Sequence, residues 1–441
     1  MNRLSRAIGL PSATALVVGT IIGASIFVQA SEITARVPST LGVMLAWAAA
    51  GALTLIGALV CAELASAYPR TGGVYVFLKE IYAPSVGFLW GWAMFWSMHS
   101  GILAAIATVF ARYAGQFVTL DDTATRLVAV GAIAVLSAVN YLGVGLGGRV
   151  QSAFTLVKVA AVAAIIAAGW LLSGPQMTPV MPLTQTAPIS VTGFLLAVSA
   201  GLFAFGGWHM VTYTAEETVD PVRTIPRALM IGVVVVTVCY IGLNAVYLRV
   251  LSIDKVISST RVAADAFEVL VGPQGAQVIA GLVMFSAFGG LNGIILAGPR
   301  VYYQMAQDGL WFRWAGAVHP RFQTPAKAIL LQAVWASVLV WTGTYRALFT
   351  RVVYTEWIFF ALLALGIILM RRRSGYRPAW RMPLVPIAPL VFILVSAAIV
   401  INQFRVDPIQ SAIGLLIVGS GYPAYRWWHR RRGASGDRVS S

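Results

Sequence analysis

The sequence predicts an all-α polytopic membrane protein of twelve transmembrane helices, and three observations carry that prediction. Of the 441 residues, 59% are hydrophobic and only 10% are charged, whereas a soluble domain carries roughly 25% charged residues. The mean hydropathy is +0.81. The apolar residues also fall into runs long enough to span a bilayer, which takes about 20 residues per helix. Twelve such runs with short connections use up the chain, leaving no room for a separate soluble domain.

In chain order the runs cover about 10–35, 41–66, 84–118, 126–146, 150–172 and 193–215. Six more follow at about 227–251, 275–305, 325–342, 347–370, 385–402 and 406–426. An even number of spans puts both termini on one side. With cytoplasmic termini, 22 of the 31 Lys and Arg residues fall in cytoplasmic segments and 9 in external ones. The bias is strongest at Arg371, Arg372, Arg373, Arg377 and Arg381, and again at Arg426, Arg430, Arg431 and Arg432. That is the positive-inside pattern, and it predicts a multi-pass protein of the inner cell membrane.

The net charge of +16 does not point to nucleic acid. Phosphate binding needs a solvated basic face, and here the charge is confined to short breaks between apolar runs. Cys61 and Cys239 sit inside apolar runs and form neither a disulfide framework nor a metal cluster. No metal and no cofactor are expected. The first residues lead into a span without a small-residue cleavage site, so no removable signal peptide is expected either.

Two spans are poorly formed helices. The first carries Gly19-Thr20-Ile21-Ile22-Gly23-Ala24-Ser25 at its middle, and the sixth carries Gly201-Leu202-Phe203-Ala204-Phe205-Gly206-Gly207. Each glycine weakens a helix by roughly 1 kcal/mol relative to alanine, and in lipid the freed backbone groups need partners or a cavity. Small residues also serve close helix packing. Position decides between the readings. Each run opens a five-span block, and because five is odd the second block enters from the opposite face. Interrupted helices at matching places in inverted halves mark the midplane site of a transporter. A channel would more often show pore loops or charged rings. A membrane enzyme would need paired His, Asp or Glu within the spans, and the four His residues show no such spacing.

A broken helix presents unpaired N–H groups and a positive dipole end to a carboxylate. The amides of Gly23, Ala24 and Ser25 are therefore the expected carboxylate cradle. The break in the sixth span frees carbonyls around Phe203, Ala204 and Phe205, where an ammonium can dock. A carboxylate and an ammonium together describe an α-amino acid. Phe203 and Phe205 either close over the ligand or simply pack, as aromatic residues in spans usually do.

At these residues the chain resembles a known family. The stretch from Gly19 to Phe27 looks like the first-span motif of the amino acid–polyamine–organocation superfamily. Phe203-Ala204-Phe205-Gly206-Gly207-Trp208, then Thr214-Ala215-Glu216-Glu217 and Pro221-x-Arg223-x-x-Pro226, resemble the sixth-span region of its L-type amino-acid transporter branch. Glu63-Leu64 with Arg70-Thr71-Gly72-Gly73, and Val150-Gln151-x-Ala153-Phe154 leading to Lys158, fit the same branch. The resemblance implies a five-plus-five inverted repeat of the LeuT type with broken helices 1 and 6: residues 1–175 form the first repeat, 176–375 the second, and 376–441 two extra helices and a basic tail. It also implies sodium-independent amino-acid exchange or facilitation by alternating access. In that family the first-span amides hold the carboxylate, the sixth-span carbonyls hold the amine, and the residue at Phe203 is a gate.

The sequence departs from the family at several points. Ala24-Ser25 stands where the family usually has Ser-Gly; His209 and Glu356 stand where the animal L-type carriers tend to have neutral amides. These residues, with Trp357, complete an expected substrate site of Thr20, Ile21, Ile22, Gly23, Ala24, Ser25, Phe203, Ala204, Phe205, Gly206, His209, Asn292, Glu356 and Trp357. Glu356 either faces the cavity or is a buried partner of Arg346 or Arg351. A proton-coupled carrier of cationic amino acids or polyamines is the alternative that Glu356 and His209 suggest. The animal carriers bind a heavy-chain glycoprotein through a Cys in the loop after the third span; the corresponding loop, about 118–126, has no Cys, so no such partner is expected and a bacterial origin is.

Lys158 lies inside the fifth span, by this reading about eight residues or roughly 12 Å from its inner end. An ionisable residue there either snorkels or is functional. In the family a lysine at this point takes the place of a sodium ion and joins the first span to the eighth, with Asn292 expected beside it. Arg300 and the pair Glu216/Glu217, at the inner ends of spans, are expected to form inner-gate or structural ion pairs.

Overall fold

The computed structural model describes residues 4–23, 25–27, 29–115, 117–173, 190–344, 347 and 351–436. Among them no strand forms, and eight segments are helices long and apolar enough to cross a membrane. The first span begins with α1 (Leu10–Ile21) and ends with α2 (Gln29–Arg36). The long α3 (Thr40–Ala67) follows, then the short α4 (Val74–Ile81). Next, α5 (Pro84–Ala93) passes through a π turn at Met94–Met98 into α6 (His99–Ala114). Then come α7 (Asp122–Tyr141) and α8 (Val144–Leu172).

The sixth span is α9 (Val191–Ala204) with a 3₁₀ segment, Trp208–Glu217. The chain continues with α10 (Pro221–Val250), short α11 (Ile253–Ser258) and α12 (Val262–Val271), then α13 (Pro273–Ala297) and α14 (Pro299–Gln307). The rest is α15 (Ala326–Thr342), α16 (Thr355–Met370), α17 (Ile387–Val406), α18 (Pro408–Gly419) and α19 (Gly421–Gly436). Of the twelve expected runs, the first, ninth and tenth give shorter apolar helices, and the last is divided at Ser420 between α18 and α19.

The lipid-facing and interior helices separate by burial. In the most apolar stretch of Pro273–Gln307, 67% of residues are buried, against 22% in α17. Helix α1 is central, packed against α8, α10 and α13. It gets close because small residues face it: a Cβ on Gly232 of α10 would fall 2.5 Å from Val17, the close-approach role of glycine in membrane bundles.

Helix α8 begins at Val144, six residues before the expected start, because the glycine-rich segment ahead of Val150 is helical. Lys158 is therefore about 14 residues, roughly 21 Å, from the start of its helix, too deep to reach water by simple snorkelling. Gln151, Thr155 and Lys158 are buried on one face, while Leu156 on another is 71% exposed. The spacing i, i+4, i+7 is that of one helical face.

Ion pairs cluster at one end of the bundle. Arg300 lies 2.6 and 2.9 Å from the two carboxylate oxygens of Glu217, with both side chains fully buried, and also donates to the Leu296 carbonyl. Glu216 instead accepts from the Thr71 amide at 3.3 Å. Glu63, fully buried, takes a two-pronged contact from Arg371 at 3.0 and 2.6 Å and the Met382 amide at 2.7 Å. Arg371 is thus more than a topological charge.

Removing one partner of a buried pair leaves an uncompensated charge and costs about 3–5 kcal/mol. Glu217→Gln is therefore expected to lower the unfolding free energy by roughly that amount in detergent, and Glu217→Leu with Arg300→Met to regain most of it. A Glu217→Gln variant as stable as the parent would show that the pair is not structural.

Candidate functional site

The first helix stops at Ile21 because its hydrogen-bond register is broken there. Ile22 has φ −72° and ψ 86°. In a continuous helix the Gly23 amide would bond the Gly19 carbonyl; it turns instead to the Ile21 carbonyl at 2.8 Å. Side chains take up the carbonyls that the break strips of partners. The Lys158 ammonium donates to Gly19 at 3.1 Å and Ile22 at 2.8 Å. The Ser286 hydroxyl lies 3.3 Å from the Ile22 carbonyl and 3.4 Å from that of Gly23. A 3₁₀ turn, Ser25–Phe27, follows.

Gly23, expected in the carboxylate cradle, thus gives its amide to the protein itself. Ala24 lies outside the described residues. Ser25 opens the 3₁₀ turn, and the first amides of a helical turn have no partner within it.

The sixth span breaks after Ala204. The Phe205 amide bonds Gly201 and the Gly206 amide bonds Phe203, both at 3.1 Å. Gly207 then takes φ +98°, a conformation that a side chain strongly disfavours. A Cβ there would also fall 3.2 Å from the Cβ of Thr20. The Thr20 hydroxyl lies 3.3 Å from the Gly207 carbonyl, so the two breaks touch. Of the carbonyls expected to receive an ammonium, Phe203 already accepts Gly206 and Ala204 accepts the Tyr240 hydroxyl. Phe205 is fully buried against Trp47 and Tyr240, which is plain packing. Phe203 is 39% exposed.

Tyr240 was not singled out by the sequence reading. Its buried hydroxyl sits 3.0 Å from the Ile21 carbonyl and 3.1 Å from that of Ala204, so one proton serves both broken helices. A polar-tipped ring at mid-run was the available signal, though Tyr247 two turns on carries the same one. Ser286 was missed as well.

Asn292 is not beside Lys158, contrary to the sequence expectation. Its side chain accepts from Asn140 at 2.8 Å and donates to the Gly147 carbonyl at 3.2 Å and to Gln151 at 2.9 Å. It thereby joins α13 to α7 and to the early turns of α8. The residues of α13 at the lysine are Ser286 and Gly289; a Cβ on Gly289 would fall 2.9 Å from the lysine Cε.

His209 is buried, and among the described residues neither ring nitrogen has a hydrogen-bond partner. Aromatic rings enclose it: Phe360 at 5.0 Å, Tyr213 at 5.5 Å and Trp90 at 5.6 Å. Trp357 lies 5.8 Å from Phe360. Glu356 is one turn before Phe360 on the same face of α16. Among the described residues it has no ion pair, and Arg351, one expected partner, bonds Gln410 at 2.5 Å instead. Arg346, the other, lies outside the described residues. Also among the described residues, no cluster of His, Cys, Asp and Glu could hold a metal.

Comparison with known proteins places this geometry. A family model for amino acid permeases matches residues 8–420. The chain is 30% identical over 437 residues to the serine/threonine exchanger SteT of Bacillus subtilis, covering 98% of both chains. It is 32% identical over 412 residues to the human b(0,+)-type amino acid transporter 1, covering 92% of this chain and 84% of the other. To the mouse Asc-type amino acid transporter 1 it is 30% identical over 432 residues, covering 96% of this chain and 81% of the other. Those matches and the two interrupted helices lead to one conclusion: the chain belongs to the amino acid permease family, in the L-type branch of the amino acid–polyamine–organocation superfamily, and is a transporter rather than an enzyme.

Proposed function

We propose that the protein is a sodium-independent exchanger or facilitator of neutral L-amino acids that works by alternating access. The observation that carries the sodium-independent reading is the Lys158 ammonium on the Gly19 and Ile22 carbonyls. A fixed cation there supplies the positive charge that a bound ion would otherwise bring. The exchange reading draws on the relatives: one is named a serine/threonine exchanger and another a large neutral amino acids transporter subunit.

The proposed architecture is twelve spans in a five-plus-five inverted repeat, residues 1–175 and 176–375, with 376–441 adding two helices and a basic tail. Both termini are then cytoplasmic and the membrane is the bacterial inner membrane. The loop at 118–126 has no Cys for a disulfide-linked heavy chain, so the chain works without one.

In the proposed site the substrate carboxylate meets the amides that open the Ser25–Phe27 turn, and its ammonium meets the carbonyls of Phe203, Ala204 and Phe205. A carbonyl oxygen has two lone pairs, so a carbonyl that already holds one protein donor still accepts another. Phe203 is the gate over this site. His209, Glu356 and Trp357 face the substrate side chain, while Asn292 acts at one remove, by fixing α8 against α13.

Substrate recognition then needs both α-groups. Decarboxylated or N-acetylated analogues should compete at least tenfold worse than the parent amino acid, about 1.4 kcal/mol, in uptake assays on proteoliposomes. Equal competition by an amine without the carboxylate would instead favour a polyamine carrier.

Lys158→Ala is expected to fold and insert yet exchange labelled serine at least tenfold more slowly, because the carbonyls of Gly19 and Ile22 lose their donor. Wild-type exchange should be the same in sodium and in choline buffer. Full activity of Lys158→Ala, or a wild type that needs sodium, would falsify the ion-substitute role. Glu356→Gln should change the ratio of cationic to neutral uptake; if neither rate nor ratio moves, the carboxylate does not face the substrate.

A further inference from the structure

Helix α19 plays no part in the transport reading, yet its residues are sorted by face. Trp428 stacks on Trp311 at 5.4 Å with ring planes 19° apart, and Tyr425 meets Phe88 at 5.7 Å. Just before the helix, the Trp92 indole donates to the Ser420 hydroxyl at 3.2 Å. A Cβ on Gly421 would fall 2.9 Å from the Trp92 ring. The helix is docked on the bundle through its aromatic face.

The other face displays Arg426, Trp427 and Arg430, all exposed, and the Arg431 guanidinium lies over the Trp427 ring at 3.8 Å. Arg313 and Trp314, from the turn after α14, are exposed too. Among the described residues no acidic side chain forms an ion pair with Arg313, Arg426 or Arg430.

Indole rings favour the headgroup layer of a bilayer, and guanidinium groups pair with phosphate through two parallel hydrogen bonds. Basic clusters on an amphipathic helix next to a span attract anionic lipid. We infer that the outer face of α19, with the Arg313–Trp314 turn, is a binding surface for anionic phospholipid headgroups. Its position gives it a purchase on the bundle. Trp428 bears on Trp311, three residues beyond Asp308, and the Asp308 carboxylate receives the Lys79 ammonium at 2.6 Å and the Tyr75 hydroxyl at 2.7 Å. Lipid held on α19 thus steadies the chain that follows α14. The inference uses the proposed topology only to say which leaflet supplies the lipid.

The test is lipid binding to the purified full-length protein in neutral detergent, by native mass spectrometry with phosphatidylglycerol and phosphatidylcholine of the same acyl chains. Each basic side chain at a lipid surface contributes about fivefold. The wild type should therefore prefer phosphatidylglycerol by at least tenfold. The triple variant Arg313→Gln, Arg426→Gln, Arg430→Gln should prefer it by less than about threefold. The corresponding triple lysine variant should keep the preference and shows that the altered surface still folds. A wild type that does not discriminate, or a glutamine variant that discriminates as the wild type does, overturns the proposal. Competition by inorganic phosphate as strong as by the lipid assigns the surface to a soluble anion and overturns the lipid assignment. Because the measurement is made in micelles without substrate, failure here leaves the transport reading and the topology untouched.

Discussion

Much of the structure is arranged around the ammonium of Lys158 and the two main-chain carbonyls it holds. An interrupted helix inside a bilayer is unstable unless its stripped carbonyls find donors, because no water is at hand, and each unmet polar group costs on the order of 1–3 kcal/mol. The break at Ile22 strips several at once. Lys158 serves Gly19 and Ile22, and Tyr240 serves Ile21. The exchange works in both directions, since an ammonium so far from water needs acceptors as much as the carbonyls need donors. Neighbouring residues make room for it: Gly289 lacks the Cβ that would press on the lysine stem. The polar stripe of Gln151, Thr155 and Lys158 keeps α8 in register with α1, with Thr155 donating to the Ala15 carbonyl at 2.8 Å.

The two interrupted helices are also joined to each other at three levels. At one end the Ala7 and Ile8 amides bond the Glu217 carbonyl at 3.0 and 2.9 Å, and the Val219 amide bonds Ile8 at 2.9 Å. In the middle Thr20 meets Gly207. At the breaks Tyr240 reaches both chains. Elements linked by backbone bonds at one end and side chains elsewhere shift together more readily than apart. In the proposed alternating-access cycle this makes α1, α9 and the Trp208–Glu217 segment one moving body, and α8 and α13 the surface it moves against.

What the sequence disclosed and what it hid follow from range. The breaks were legible because glycine acts locally: Gly19, Gly23, Gly206 and Gly207 mark them without reference to any other span. Lys158 is legible because a charge in an apolar run is conspicuous, although the depth inferred for it is too shallow, since the run read from 150 belongs to a helix that starts at Val144. Partner assignments failed more often. Asn292 was placed at Lys158, but the facing of α13 on α8 puts it two turns away, on Gln151 and Asn140. Gly23 was given to the ligand because nothing local shows its amide turning onto Ile21. Arg371 was counted as topological charge although Glu63, some 300 positions away, claims it. Which amino acid of one helix faces which of another depends on rotation and depth, and a single sequence does not carry that.

The pair at Glu217 shows how such a structure can be firm and still change state. Dry, between fully buried side chains, the Arg300–Glu217 contact resists the loss of either partner, at a cost of about 3–5 kcal/mol. Wet, an ion pair contributes only about 0–1 kcal/mol. Admitting water to that end of the bundle would therefore weaken the pair without removing any atom of it, because hydration takes over from the partner. The Lys79–Asp308 contact, with side chains 15% and 19% exposed, already stands nearer the wet limit. Discreteness comes from the packing around such contacts, since packed interfaces shift between separate arrangements rather than deforming continuously. In the proposed cycle the substrate's binding free energy at the breaks need only tip that balance, since Glu217 and the first helix are bonded into the same moving body.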